Sequence, residues 1–265
     1  MAVLAHPDDE SLGFGGTLAK YARDGVEVFL LTATRGDGGR FRGHPRGDPE
    51  HPGRAALAAI REAELRSAAA VLGVSEVTLL DYEDQHLDAA NPSQAIAHIA
   101  RELRRVRPDV VLTFGPDGGY GHPDHIAISQ FATAAVIAAA DNASGVDSES
   151  KPHSVSKLYY LAWPTTTWTA YESALRKLSS MVDGIERTAT PWPDWMITTM
   201  IDTRDVWTTV WRAVACHESQ VGTYERLRNL SPEHHQSVWG RQSFYRVFST
   251  VNGGRTRETD LFEGM

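Results

Sequence analysis

The chain has 265 residues, of which 42% are hydrophobic and 23% are charged, a composition typical of a globular protein with a sizeable core. Its formal net charge of −8 argues against non-specific binding to the phosphates of a nucleic acid. No apolar run approaches the ~20 residues that span a bilayer, and the single cysteine, Cys216, cannot form an internal disulfide, so we expect a cytoplasmic protein that contacts neither membrane nor nucleic acid.

The first half of the chain alternates strand patterns with helix patterns. Buried strands are predicted over residues 2–5, 26–33, 77–80 and 108–114 from their β-branched and aromatic content. Helices are predicted over residues 17–23, 55–72, 92–105 and 126–140. This order is typical of βαβ units and predicts an α/β fold with a Rossmann-like, mostly parallel sheet and helices on both faces.

The ends of these elements carry their own signals. Gly73 is expected to end one helix, and Asn91 followed by Pro92 is expected to begin the next. The first strand pattern, Ala2-Val3-Leu4, is short, as expected if the natural chain begins a few residues earlier. Residues 35–54 lack periodicity, and a loop of this length is expected to be either a functional lid or a solvated insertion.

The second half of the chain is less regular. Residues 141–156 are polar and indicate a linker, after which strands are predicted over 157–163, 197–201 and 244–248 and a helix over 206–216. No internal repeat or second independent core pattern is present. We therefore predict a single domain, with a Rossmann-like core over residues 1–140 and a C-terminal extension over residues 157–265 that forms one side of the active site.

Two polar stretches lie where a strand pattern gives way to a helix pattern. Residues 5–10 read Ala-His-Pro-Asp-Asp-Glu, and residues 120–125 read Tyr-Gly-His-Pro-Asp-His. In an open α/β sheet, ligands bind at the carboxyl ends of the strands. Together the stretches hold three histidines and four carboxylates, and this pairing indicates one shared site.

The spacing of these residues suits a metal ion. His6 and Asp9 are three residues apart across a proline-containing turn, close enough to face one ion. His122 and His125 are also three apart, and they share a helix face if Pro123 opens a helix. A catalytic zinc typically takes three ligands from His, Asp or Glu and keeps one position for water. His6, Asp9 and His125 would supply that set.

The other polar residues suit the remaining roles in metal-assisted hydrolysis. Asp8 could accept a proton from a metal-bound water, whose pKa falls towards ~7. His122, as a cation, could face a developing oxyanion or protonate a leaving amine. Asp124 could orient that imidazole and favour its charged form. Either stretch alone is more often a solvated turn or helix cap, but the two together favour a hydrolytic metal site.

These motifs resemble those of the PIG-L/LmbE family of metal-dependent N-deacetylases, which remove acetyl groups from N-acetylglucosamine conjugates. The resemblance lies in His-Pro-Asp-Asp-Glu at 6–10, Gly-Gly-Thr at 15–17 and Gly-Tyr-Gly-His-Pro-Asp-His at 119–125. The resemblance covers residues 1–140. A weaker similarity extends to Cys-His-Glu-Ser-Gln at 216–220 and to Asp-Leu-Phe at 260–262.

The resemblance also implies roles for the individual residues. The counterparts of His6, Asp9 and His125 bind zinc, for which ferrous iron can substitute. Asp8 corresponds to the general base, and His122 corresponds to the general acid or oxyanion partner. Asp124 corresponds to the aspartate that tunes this histidine. Two further positions are implied only by the resemblance: Tyr120 reaches towards the oxyanion, and Arg61 contacts the substrate head group as in mycothiol-pathway deacetylases.

The leading hypothesis is therefore zinc-dependent hydrolytic N-deacetylation of a small N-acetylglucosamine-type conjugate, with Asp8 as the general base. The segment Arg-Gly-Asp-Gly-Gly-Arg-Phe-Arg at 35–42 replaces a Gly-Glu-rich segment of mycothiol-pathway enzymes, so the aglycone is not predicted. A homo-oligomer is compatible with the sequence.

Three alternatives remain at this point. The first is an amidase that releases a larger acyl group from a related thiol-sugar conjugate. The second is an oxygenase, because two histidines and one carboxylate also form the ferrous facial triad. The third is a non-catalytic sugar- or nucleotide-binding module, although the acids beside Gly13, Gly15 and Gly16 would repel a phosphate.

Overall fold

The computed structural model describes residues 1–142, 150–175, 179–182, 184–188, 191–220, 227–254 and 256–265. The strands in these residues are β1 (Ala2–Leu4), β2 (Phe29–Thr34), β3 (Glu76–Tyr82), β4 (Val110–Phe114), β5 (Lys157–Leu161), β6 (Ser180–Val182), β7 (Ile185–Arg187), β8 (Thr199–Asp202) and β9 (Arg241–Ser249). The α-helices are α1 (Asp9–Leu12), α2 (Gly15–Arg23), α3 (Arg54–Leu72), α4 (Pro92–Val106), α5 (Gly118–Gly121), α6 (Pro123–Ala140), α7 (Thr165–Leu175), α8 (Trp207–Cys216) and α9 (Pro232–Trp239). Short 3₁₀ turns occupy Leu87–Ala89, Asp194–Met196 and Glu218–Gln220.

A seven-stranded sheet with the order β3-β2-β1-β4-β5-β9-β8 organises the molecule. The first five strands in this order are parallel, and β9 runs antiparallel to both β5 and β8. The chain moves outward from β1 in one direction and from β4 in the other. The crevice between the ends of β1 and β4 is therefore the switch point at which such sheets bind ligands. The predicted α/β, Rossmann-like, mostly parallel sheet is confirmed.

The helices form two layers. Helices α2 and α3 pack together on one face of the sheet and α4 and α6 on the other, as expected for βαβ crossovers of the usual hand. Helix α8 packs against α2 and α3, and α4 packs along α6. Every residue of β1 and β4 is buried, as expected for parallel strands covered on both faces. No helix in the described residues combines the length and apolarity that crossing a bilayer requires.

Most predicted elements are present, with shifted ends. Strand β2 begins at Phe29 rather than at residue 26, because the ladder starts where Phe29 pairs with Glu76 and Leu30 with Ala2. Gly73 ends α3 in the left-handed conformation. The side chain of Asn91 accepts a hydrogen bond from the Gln94 N–H at 3.2 Å, as predicted for the start of α4.

The C-terminal half contributes to the same sheet. Strand β5 continues the parallel order beyond the predicted core of residues 1–140, and β9 and β8 extend the sheet further. The short hairpin of β6 and β7 and the helices α7 and α9 were not predicted. Of the predicted linker, residues 143–149 lie outside the described part of the chain.

Candidate active site

The loop after β1 is shaped by carboxylates that fold back onto its backbone. The N–H groups of Ala5 and His6 donate to Asp9 Oδ2 at 3.2 and 2.8 Å, and the Asp8 N–H donates to Glu10 Oε2 at 2.9 Å. Buried N–H groups need such partners. Asp8 has a φ of +99°, a conformation that is costly for a residue with a Cβ. The surrounding contacts therefore hold Asp8 in a strained backbone position.

Two imidazoles and one carboxylate converge above this loop. His6 Nδ1 lies 3.1 Å from His125 Nε2, His125 Nε2 lies 3.3 Å from Asp9 Oδ1, and His6 Nδ1 lies 3.7 Å from Asp9 Oδ2. All three side chains are buried. Burial opposes the charge on Asp9, but His125 and His6 hold the pKa of its carboxyl well below the usual range.

The donor set fits a zinc-like ion. Two imidazole nitrogens at this distance repel each other unless a proton or a cation lies between them. A tetrahedral zinc with bonds of 2.0–2.1 Å requires neighbouring ligand atoms about 3.4 Å apart, close to the separations of this trio. The cluster could therefore hold a metal ion, and the structure brings together the three residues expected to do so.

The outward-facing nitrogens of both histidines are also engaged. His125 Nδ1 lies 3.1 Å from the carbonyl oxygen of Gly118. His6 Nε2 lies 3.0 Å from Asp124 Oδ2 and 3.1 Å from Asp84 Oδ1. Carbonyl or carboxylate partners of this kind are usual for metal-binding histidines, because they set the tautomer and orientation of the ring. They leave His6 Nδ1 and His125 Nε2 facing the centre.

Asp84 was missed by the sequence reasoning. Burial opposes its charge, but the neighbouring His6 holds the pKa of the Asp84 carboxyl well below the usual range. Its second oxygen accepts the Gly38 N–H at 2.8 Å, which ties the loop after β2 to the site. The sequence did contain an indication of this role. Asp84 follows directly after β3, and a residue in that position lies at the same edge of the sheet as the two motifs.

The position of Asp124 corrects the expected contact between its carboxylate and the His122 ring. Its two carboxylate oxygens accept hydrogen bonds from the backbone N–H groups of Gln85 (2.7 Å) and Leu87 (3.0 Å), and one of them also meets His6. Only the backbone N–H of Asp124 reaches His122, at 3.2 Å from Nδ1. The reason is local geometry, because His122 caps α6 and residues two apart do not face each other on a helix.

His122 and Tyr120 flank the trio. The His122 ring centre lies 4.9 Å from that of His6 and 4.7 Å from that of His125. Burial and these two neighbours lower the pKa of His122 to about 3, which favours the neutral ring at pH 7. Since Nδ1 accepts a hydrogen bond, the proton of the neutral ring lies on Nε2. Tyr120 lies edge-on to His125 with ring centres 5.4 Å apart.

Arg61 lies beneath the loop that carries Asp8. Its Nη2 donates to Asp8 Oδ2 at 3.0 Å and to the Pro7 carbonyl, and its Nη1 donates to the Gly36 carbonyl at 2.9 Å. Gly36 has a φ of +66°, and a Cβ there would collide with the guanidinium. Arg61 was expected to contact a substrate head group, but the structure buries it against the Asp8 carboxylate.

The loop between β2 and α3 borders the site and is fastened at several points. Gln85 Nε2 donates to the Gly38 carbonyl at 2.8 Å, and Gln220 Nε2 donates to the Arg40 carbonyl at 2.9 Å. The Arg42 N–H donates to the Ser219 carbonyl at 2.5 Å. Because these contacts attach the loop to other segments of the chain, they favour a fixed loop that borders the site over a solvated insertion.

A buried His/Asp cluster at the switch point of a Rossmann-like sheet, with a further carboxylate and imidazole beside it, is the arrangement expected of a metal-dependent hydrolase. Residues 1–136 match the PIG-L family, described as GlcNAc-PI de-N-acetylase. The chain belongs to this family, as the two motifs predicted.

Relatives with a named activity cover the whole chain. The chain is 35% identical over 310 residues to a 1D-myo-inositol 2-acetamido-2-deoxy-alpha-D-glucopyranoside deacetylase of Kineococcus radiotolerans, covering 99% of this chain and 82% of the relative. It is also 35% identical over 297 residues to the enzyme of the same name from Rhodococcus jostii, covering 100% and 97%. The N,N'-diacetylchitobiose deacetylase from Pyrococcus horikoshii shares the fold, with a TM-score of 0.66, 23% identity and coverage of 93% and 82%.

Proposed function

We propose that this chain is a metal-dependent N-deacetylase that hydrolyses the acetamido group of 1D-myo-inositol 2-acetamido-2-deoxy-α-D-glucopyranoside or a closely similar conjugate. The observation that carries the proposal is the convergence of His6, Asp9 and His125 directly beside Asp8. The full-length similarity to deacetylases with that named substrate supports the choice of substrate.

The metal would be held by His6 Nδ1, His125 Nε2 and a carboxylate oxygen of Asp9. Zinc suits two imidazoles and one carboxylate, and ferrous iron accepts the same ligand types. When bound, the ion would polarise the acetyl carbonyl and lower the pKa of a water molecule at the site.

Asp8 would act as the general base. It follows the metal-facing His6 by two residues, and its carboxylate is held by Arg61 at 3.0 Å. In this arrangement Asp8 would take a proton from the attacking water, and Arg61 would hold its carboxylate in place. A positioned base contributes about 10²- to 10⁴-fold to such a reaction.

His122 and Tyr120 would stabilise the acetyl oxygen. His122 Nε2–H would donate a hydrogen bond to this oxygen as negative charge develops there, and the proton that Asp8 takes from the water would pass to the departing nitrogen. Burial raises the pKa of the Tyr120 phenol, so this group stays protonated and remains a donor. One water is consumed, the C–N bond breaks, and acetate and a free amine are released.

An assay of amine release tests the proposal directly. Protein loaded with one equivalent of zinc, or of ferrous iron under anaerobic conditions, is incubated with the inositol conjugate, and fluorescamine reports the free amine. Equal amounts of amine and acetate are expected. A larger acid released faster from a thiol-sugar conjugate would instead indicate the amidase activity. The absence of amine from every acetylated amino sugar, with either metal, would refute the deacetylase proposal.

A further inference from the structure

Glu10 and His217 form a fully buried pair beside the base loop. His217 Nε2 lies 2.7 Å from Glu10 Oε1, and both residues have no solvent exposure. Burial disfavours charge on the ring, but the Glu10 carboxylate raises the pKa of His217 above its ordinary value. The two residues are 207 positions apart in the sequence, so only the fold brings them together.

The same carboxylate also holds the residue that carries the proposed base. Glu10 Oε2 accepts the Asp8 N–H at 2.9 Å, while Oε1 accepts the Ser11 hydroxyl at 2.5 Å as well as His217. Because Asp8 has a φ of +99°, its peptide N–H must be held in a direction that ordinary backbone does not favour. Glu10 is the side chain that meets this N–H.

We propose that Glu10 and His217 are a positioning pair that keeps the Asp8 carboxylate in its reactive orientation. This inference rests on the proposed function, in which Asp8 is the general base. His217 fixes one oxygen of Glu10, and the other oxygen fixes the Asp8 peptide. Neither residue of the pair touches the substrate in this scheme.

The chemistry of the pair favours this role over simple packing. His217 Nδ1 is buried and has no hydrogen-bond partner among the described residues, which costs free energy. A buried pair of this kind rarely stabilises a fold more than apolar side chains of the same size. The presence of this pair at the site is explained if its hydrogen bonds set the geometry of the loop.

His217 is itself held by rigid structure. It follows α8, which packs against α1, α2 and α3. Two residues further on, the Ser219 N–H and hydroxyl both bond the Glu64 carboxylate of α3, each at 2.6 Å. His217 therefore presents a fixed donor to Glu10, and the C-terminal half of the chain helps to shape the N-terminal motif.

Kinetics of matched variants test the inference. In His217→Ala we expect kcat to fall about 10- to 100-fold, with KM and zinc stoichiometry unchanged. His217→Gln restores an N–H donor near the position of Nε2 and should recover most of kcat. If His217→Ala does not fold, His217→Leu carries the same test, because its side chain fills most of the space of the ring but donates no hydrogen bond to Glu10, and kcat should fall by a similar factor.

His235→Ala is the matched control. This histidine is also buried, between the rings of Trp207 and Trp239, but it lies in α9 and away from the base loop. Its replacement should lower Tm while leaving kcat near the wild-type value. A His217→Ala enzyme with wild-type kcat, or a His217→Gln enzyme no better than His217→Ala, would overturn the inference.

A second measurement separates this inference from the proposed function. Hydrogen exchange at the Asp8 amide is followed in metal-free protein by NMR, with no substrate present. Faster exchange in His217→Ala, but not in His235→Ala, supports the positioning pair even if the wild-type protein releases no amine. Equal exchange in all three proteins would contradict it, whether or not the wild-type enzyme is an active deacetylase.

Discussion

The Asp124 carboxylate lies against His6, with 3.0 Å between Oδ2 and Nε2, although the two residues are 118 positions apart. Asp124 is held there by the backbone of Gln85 and Leu87 at the end of β3. The second polar motif therefore supplies His125 and also orients His6 of the first motif. The two motifs form one unit at the switch point of the sheet.

Asp124→Asn should weaken zinc binding. The amide removes the negative charge that faces the outer nitrogen of His6, and loss of such a partner typically reduces metal affinity about 10- to 100-fold. Competition with a chromophoric chelator measures the change. Asp84→Asn, which alters the other carboxylate on His6, serves as a comparison and should act in the same direction. Unchanged zinc affinity in Asp124→Asn, with only kcat reduced, would mean that Asp124 acts through His122 instead.

Asp8→Asn should separate catalysis from metal binding. Removing a general base lowers kcat about 10²- to 10⁴-fold, whereas the three proposed ligands are untouched. Zinc content by atomic absorption and kcat by fluorescamine are measured on the same preparation. Asp48→Asn, at a half-buried position in the loop between β2 and α3, is a control that should retain activity. An Asp8→Asn enzyme with wild-type turnover would exclude Asp8 as the base.

Removal of the metal should abolish turnover and lower thermal stability together. Without an ion, the two imidazole nitrogens 3.1 Å apart have only a shared proton to offset their repulsion. A ligand that binds only the folded state at 100 times its Kd adds about 2.7 kcal/mol of stability, so zinc should raise Tm by several degrees. Calorimetry with and without chelator checks this. Activity that survives exhaustive chelation would show that catalysis does not need the ion.

Glu258 should make stability depend on pH. Its carboxylate accepts hydrogen bonds from Lys157 Nζ (2.9 Å), Thr199 Oγ1 (2.6 Å) and Arg246 Nη1 (2.7 Å). Burial opposes its charge, but hydrogen bonds from Thr199, Asn252, Lys157 and Tyr159 lower its pKa to about 2 from an ordinary value of 4.5. Since the folded pKa is the lower one, the contribution to the free energy of unfolding is present above pH 4.5 and is lost as the pH falls towards 2.

Denaturant unfolding at several pH values tests this assignment. Glu258→Gln should lose about 3 kcal/mol at pH 7, as expected for one partner removed from a buried ion pair, and its stability should decline less between pH 5 and pH 3. Glu27→Gln, at an exposed position, should stay within about 0.5 kcal/mol of the wild-type value. An identical decline for Glu258→Gln and the wild type would refute the role of Glu258.

The sequence by itself determined the class of fold, and it predicted the site residues that lie in the two polar motifs. Alternating strand and helix patterns require a parallel sheet with covering helices, because apolar strands with no polar face must be buried on both sides. The same logic places residues that follow parallel strands at one edge, so His6, Asp9 and His125 could be grouped without coordinates. The loop after β2 could not be assigned in this way, since its anchors, Asp84 and Gln220, belong to distant segments.

Only the tertiary structure decided which polar atoms meet. The pairing of Asp124 with His6, of Arg61 with Asp8, and of Glu10 with His217 joins elements between 53 and 207 positions apart. Hydrogen bonds depend on positions within a few tenths of an ångström, whereas sequence periodicity fixes only the face of an element. The packing of α6 on the sheet and of α8 on α1, α2 and α3 supplies that missing precision.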